Sequence, residues 1–301
     1  MTANIEDKIN QLKKEQDVLI LAHNYQPPEI QNIADIIGDS LELAKAATAF
    51  AQETILFCGV LFMAETAKIL SPDKTVLLPQ KEALCPMANM INATQLRELK
   101  TKHPKATVVT YVNSTAEVKA ESDVCCTSAN AVKITQNIKT DEIIFAPDKN
   151  LAAYCARFTN KKIIPWDGYC YVHNDFSRKE ILKYKQDFPR AILLAHPECP
   201  PEVIDISDEV LSTSGILNFV KVAPEDTFLI ATEEGILYRL KKENPNKNFY
   251  SAGIAKICTD MKKTTLVDVY NALTKGQFSV NLSAEVVIKA QKSLKEMLQY
   301  I

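Results

Sequence analysis

Three of the eight cysteines, Cys85, Cys170 and Cys258, stand 85 and 88 residues apart, and each closes the same local pattern. The stretches KTVLLPQKEALCPM from Lys74, KKIIPWDGYCYV from Lys161 and KNFYSAGIAKICTDM from Lys247 each run lysine, strand-like segment, irregular link, cysteine. Near-equal spacing marks a repeated unit, here one that delivers a thiol per copy to a common place. Three thiols on one point bind metal. Structural zinc takes four protein ligands and an electron-transfer 4Fe-4S cluster four thiolates, so three leave a position open. On iron, an open position binds substrate and acts as a Lewis acid. The competing reading is eight buried core thiols.

The register carries other polar residues with it. Shifts of 88 and then 85 residues take His23 to Tyr111 and His196, Tyr25 to Asn113 and Glu198, and Ser40 to Ser128 and Thr213. The first two sets end apolar runs (DVLILAH, ATVVTYVNS, RAILLAHPE), and two histidines ending buried strands in register are unlike a lone core histidine. Glu198 is the one carboxylate among Tyr25, Asn113 and Glu198, which makes it the candidate base, with Tyr25, His23 and His196 sharing proton transfer. The plainer reading has Glu198 orient His196. Ser40, Ser128, Ser212 and Thr213 are predicted at helix starts, where hydroxyls cap the helix and, with free amides, bind carboxylate or phosphate. Cys199 in HPECP is the rival metal ligand, but its repeat position is that of Gln26 and Ser114, so none is expected there. His173 is expected beside Cys170 as a supporting group.

Placing these side chains takes strands alternating with helices, the pattern of parallel sheets whose ligands bind beyond the strands' carboxyl ends. The predicted fold is α/β: three similar parallel-sheet domains related by a pseudo-threefold repeat around a central cluster. The expected boundaries are 1–87 with 264–301, 88–173, and 174–263. TILFCGVLFMA is predicted as a strand, a helix is expected around Glu65–Leu70, and ESDVCCTSANAVKI is predicted as a turn. Two C-terminal helices are expected to pack on the first unit.

With 47% hydrophobic residues the chain has material for a sizeable core. Its 35 basic and 37 acidic residues nearly cancel, with no basic run suited to nucleic acid or a membrane surface. Small-molecule partners are expected, with no nucleic acid and no membrane. The charged N-terminus and the lack of long apolar runs predict a cytoplasmic protein whose cysteines stay reduced. Seven glycines, none in Gly-x-Gly spacing, exclude a dinucleotide fingerprint or phosphate loop.

The segments LAHNYQPPEIQNIADIIGDSLELA, FMAETAKIL, CPMANM, TYVNSTAEVKAESDVCCTSANAV, HPECP, STSG and CTDMKK resemble quinolinate synthase over essentially the whole chain. The resemblance implies three related α/β domains around one 4Fe-4S cluster per chain, held by Cys85, Cys170 and Cys258. It implies condensation of iminoaspartate with dihydroxyacetone phosphate to quinolinate, releasing phosphate and water, in NAD biosynthesis. An aspartate-oxidising enzyme is then a transient partner. Substrate contacts carry over to His23, Ser40, Tyr111, Val112, Asn113, Ser128, His196, Pro197, Glu198 and Thr213, with Tyr25 nearby. Two departures from the pattern matter. Ala252 and Ala255 replace cysteines that precede the third ligand in some members, so no disulfide switch is expected, and Leu211 replaces a glycine before the Ser-Thr pair. An aconitase-like hydro-lyase with the same open iron, and a non-catalytic redox or zinc protein, are the other readings.

Overall fold

The computed structural model describes residues 4–300. Its first unit runs α1 (Ile5–Glu15), β1 (Val18–His23), α2 (Pro28–Ile33), β2 (Ile36–Gly38), α3 (Ser40–Ala49), β3 (Thr54–Cys58), α4 (Leu61–Leu70) and β4 (Thr75–Leu77). The second repeats that order as α5 (Ala93–Lys102), β5 (Thr107–Tyr111), α6 (Ala116–Ala120), β6 (Val124–Cys126), α7 (Ala131–Asn137), β7 (Glu142–Ala146), α8 (Lys149–Ala156) and β8 (Lys162–Pro165). The third does so again with α9 (Arg178–Asp187), β9 (Ile192–Ala195), α10 (Pro201–Ile204), β10 (Glu209–Val210), α11 (Thr213–Val222), β11 (Thr227–Ala231), α12 (Ile236–Glu243) and β12 (Asn248–Ser251). Helices α13 (Leu266–Lys275) and α14 (Ala284–Met297) follow. The three sheets have one order, β2-β1-β3-β4, β6-β5-β7-β8 and β10-β9-β11-β12, and all their pairings are parallel.

This is the three-sheet α/β fold that the alternation predicts. Strand β1 is buried at every residue because helices cover both faces of a parallel sheet. Its side chains still divide by the strand's period of two. Leu19 and Leu21 face a large apolar core shared with Val109, Phe145 and Phe228 of the other sheets, whereas Ile20 and Ala22 pack outward with Ile9 of α1. The same division sets Val109 against Val108 and Leu194 against Leu193. Each sheet therefore turns one face to its neighbours and the other to its own outer helix, which brings the strand ends of all three units together.

Local structure departs from expectation in four places. The run from Thr54 is a strand only to Cys58; after Gly59 the chain starts α4 at Leu61, four residues before the expected helix. That helix is apolar nearly all round, with eight of its ten residues buried, so periodicity could not separate it from a strand. The segment ESDVCCTSANAVKI, predicted as a turn, contains the edge strand β6 with Cys125 and Cys126 on it; β2 and β10 are edge strands of the same kind, two or three residues each. Ser128 lies in a turn ahead of α7 rather than at its start, because Asn130 Oδ1 accepts the Thr127 amide (2.8 Å) and folds residues 127–130 back on themselves. Finally, α13 packs on α1 as expected, whereas α14 lies against α6 and β6 of the second unit as well as α4 of the first.

Candidate active site

One backbone hydrogen bond recurs in each unit and seats its cysteine loop. An amide at or just ahead of the start of the helix after the central strand donates to the carbonyl two residues before the cysteine: Leu61 to Ala83 (2.9 Å), Lys149 to Gly168 (2.8 Å), and Glu234 to Lys256 (3.0 Å). Cys85, Cys170 and Cys258 thereby line one cavity at the meeting of the strand ends. All eight cysteines are free, and they fall into two classes. These three are half-buried, while Cys58, Cys125, Cys126, Cys155 and Cys199 are fully buried. Cys199 packs in the third unit's outer core and donates to the Ala231 carbonyl (3.3 Å). Burial pushes the Cys85 thiol up to about 12 and raises Cys170 and Cys258 as well. Thiols so placed ionise when a metal takes them. Three soft donors on one cavity suit iron-sulfur or zinc chemistry better than hard cations.

A network of titratable groups faces these thiols. His173 Nδ1 is 2.7 Å from Glu198 Oε2 and 3.3 Å from Cys170 Sγ, and the Tyr111 hydroxyl donates to Glu198 Oε1. Cys170, His173 and Glu198 are also close enough, with ligand atoms within 4.8 Å of one another, to hold a single ion. His173 Nε2 meets Thr232 Oγ1 at 2.8 Å, and the Tyr25 hydroxyl meets the same oxygen at 2.6 Å. The His173 ring stacks on His196 at 4.4 Å between centroids. Burial would raise the Glu198 carboxyl, but the charge and hydrogen bond of His173, then His196 and Tyr111, outweigh it and hold the group at about 2.

The repeat also fixes two tautomers. The Tyr25 amide donates to His23 Nδ1 (3.2 Å), and in the third unit the Glu198 amide donates to His196 Nδ1 (3.4 Å). An amide can only donate, so in a neutral ring Nδ1 accepts and Nε2 carries the hydrogen. Both rings are neutral near pH 7: burial lowers each to about 3. His196 Nε2 then donates to Ser128 Oγ (3.2 Å).

The hydroxyl positions arrive on caps. Asp39 closes a capping box on α3 with Glu42, accepting the Leu41 and Glu42 amides at 3.0 Å, and leaves Ser40 in the first turn. Ser212 caps α11 by accepting the Gly215 amide (3.2 Å) and donates to Asp39 Oδ2 (3.4 Å), joining first and third units. Thr213 follows it and accepts from Asn24 Nδ2 (3.3 Å).

The chain matches the model for "Quinolinate synthetase A protein", NadA, over residues 7–299. It belongs to the quinolinate synthetase A family. Curated relatives named quinolinate synthase are 52% identical in Methanoregula boonei, 51% in Alkaliphilus metalliredigens and 50% in Clostridioides difficile. These matches cover 98–99% of this chain and 98% of each relative. As a member of the NadA family the chain is an enzyme. No helix among the described residues is long and apolar enough to cross a membrane.

Of the residues singled out in the sequence, His23, Tyr25, Ser40, Tyr111, Asn113, Ser128, His196, Glu198, Thr213 and the three cysteines line the cavity. Val112, Pro197 and Ser212 do not; Val112 is tied to the Cys126 carbonyl (2.9 Å) and Ser212 is occupied as a cap. Asn113 Oδ1 is buried with no hydrogen-bond partner among the described residues, an acceptor free for a ligand. Sequence reasoning missed Thr232, Glu233 and Met261. Glu233 had a signal, since it occupies the repeat position of Asp148 and Val60.

Proposed function

We propose that this enzyme condenses iminoaspartate with dihydroxyacetone phosphate to quinolinate, releasing phosphate and water, in cytoplasmic NAD biosynthesis. The observation that carries the reading is the meeting of three half-buried thiols, two neutral histidines and one ionised carboxylate on a single cavity. Family membership supports the product. Cys85, Cys170 and Cys258 would hold one 4Fe-4S cluster, which supplies a Lewis acid at an iron without a protein thiolate.

The chain's own groups divide the remaining work. Glu198 is ionised and accepts protons from carbon or nitrogen; substrate that displaces the Tyr111 hydroxyl removes one of the groups holding its pKa down, so its basicity rises. His23 and His196 present Nε2–H to substrate oxygens, and Tyr25 exchanges protons along Thr232 and His173. Ser40, Ser128 and Thr213 bind carboxylate and phosphate, with the first-turn amides of α3 and α11 adding positive potential. Asn113 accepts a substrate N–H or O–H, and Val112, Pro197 and Ser212 hold the backbone around these contacts. An aspartate-oxidising enzyme delivers the imine.

A single divalent ion on Cys170, His173 and Glu198 is the second reading, favoured by the closeness of those ligand atoms. Against it, the 2.7 Å between His173 and Glu198 is a hydrogen bond that an ion would have to replace. Anaerobic purification with iron and zinc analysis, followed by a quinolinate assay with both substrates, separates the two. Colourless, zinc-loaded protein that makes no quinolinate would refute the first reading.

A further inference from the structure

We propose that Glu233, fixed by Lys262, is a positioning residue for Cys258. The inference rests on the reading that this thiol is a metal ligand. Glu233 is wholly buried, and its Oε1 accepts the Cys258 amide (3.0 Å) while Oε2 accepts the Gly235 amide (2.7 Å). Lys262 Nζ lies 2.9 Å from Oε1 and donates to the Tyr25 carbonyl (2.6 Å). One ion pair thus links the backbone of the third cysteine to the loop that carries Tyr25 in the first unit.

Burying the Glu233 carboxylate beside a partly exposed lysine costs more than filling the same space with apolar groups. Their use here is accounted for by what they orient: two amides and a carbonyl that no apolar residue can satisfy. The second unit keeps an acid at the same position but not the device. Asp148 and Glu233 each lie two residues beyond the end of a central strand, and each precedes the amide that seats the cysteine loop. Asp148 is also wholly buried, but its Oδ1 accepts the Leu151 amide (2.7 Å) as the cap of α8, and its Oδ2 has no hydrogen-bond partner among the described residues. The first unit lacks the device. Val60 stands at that position, and the Cys85 loop is held by the Leu61–Ala83 bond and by the Ala83 amide on the Gln80 carbonyl (3.1 Å). Cys85 is therefore an internal reference for Cys258.

The test uses wild type, Glu233→Gln, Glu233→Ala and Lys262→Met, each purified anaerobically. Iron per chain and the reduction potential are measured first. Cluster-free protein is then alkylated with iodoacetamide, and Cys258 and Cys85 modification are followed by mass spectrometry. Glu233→Ala should raise the Cys258-to-Cys85 rate ratio by about tenfold, the scale of one lost buried hydrogen bond. Glu233→Gln, the milder change, should raise that ratio less and shift the potential upward, since a negative charge beside the cluster is gone. An unchanged ratio in both Glu233 variants would overturn the proposal. Iron-free wild type with a raised ratio in the variants would refute the cluster reading while leaving the positioning role intact.

Discussion

Glu198 and His173 come from different units yet lie 2.7 Å apart, each 3% exposed, with the Tyr111 hydroxyl on the opposite carboxylate oxygen. This pairing fixes the charge state of the cavity. Buried beside apolar strands alone, Glu198 would be protonated more readily than a free glutamate; between two histidines and a tyrosine it stays ionised.

Glu198→Gln keeps the side chain's shape while removing the proton acceptor. Iron content should be unchanged and kcat should fall by ~10²-fold or more, the usual scale for a general base. Near-normal turnover would move the role to Tyr25 or the histidines.

The eight thiols should separate by function when each is replaced by alanine. Cys85→Ala, Cys170→Ala and Cys258→Ala should lose iron. Cys199→Ala should keep it and lower stability, because the thiol fills a closed core. Iron per chain and a urea midpoint for each variant decide the matter; loss of iron in Cys199→Ala with retention in Cys170→Ala would reverse the assignment.

Thr213→Ala and Ser128→Ala should raise KM with little change in melting temperature. Ser212→Ala should do the opposite, costing about 1 kcal/mol as a lost cap with KM nearly unaffected. If Thr213→Ala lowers stability and leaves KM alone, its hydroxyl serves Asn24 rather than substrate.

Stability should fall as the protein is acidified below neutrality. Burial holds His23 and His196 at about 3, against 6.5 ordinarily, so below pH 6.5 the unfolded chain binds protons that the folded state refuses. Their contribution is whole above 6.5 and is lost as pH falls toward 3; Glu198 acts in the same direction between 4.5 and about 2. Denaturant midpoints from pH 8 to pH 4 should show this slope, and His23→Asn with His196→Asn should flatten it. An equal slope in the double variant would mean that other groups carry the effect.

Much of this architecture is local in origin. Short apolar runs such as VLILAH and TFLIA, bounded by polar residues, fit covered strands, and the 88- and 85-residue register recurs in the positions of strands and helices across all three units. The caps at Asp39 and Ser212 follow from side chains whose oxygens reach amides two or three residues on. The amino-acid order thus determines which residues end strands, and so which polar groups and thiols stand at the carboxyl edge of each sheet. It does not determine how a residue on one edge meets a residue on another. Glu233 reads as an ordinary acidic residue in a TEEG loop until the fold brings it under the Cys258 amide, and His173 reads as a neighbour of Cys170 until Glu198 arrives from the third unit. Edge strands of two or three residues, the all-apolar start of α4 and the seat of α14 across two units have the same cause. Periodicity records the geometry of consecutive residues, whereas these features arise from contacts between segments far apart in the chain, which exist only once the three sheets have packed.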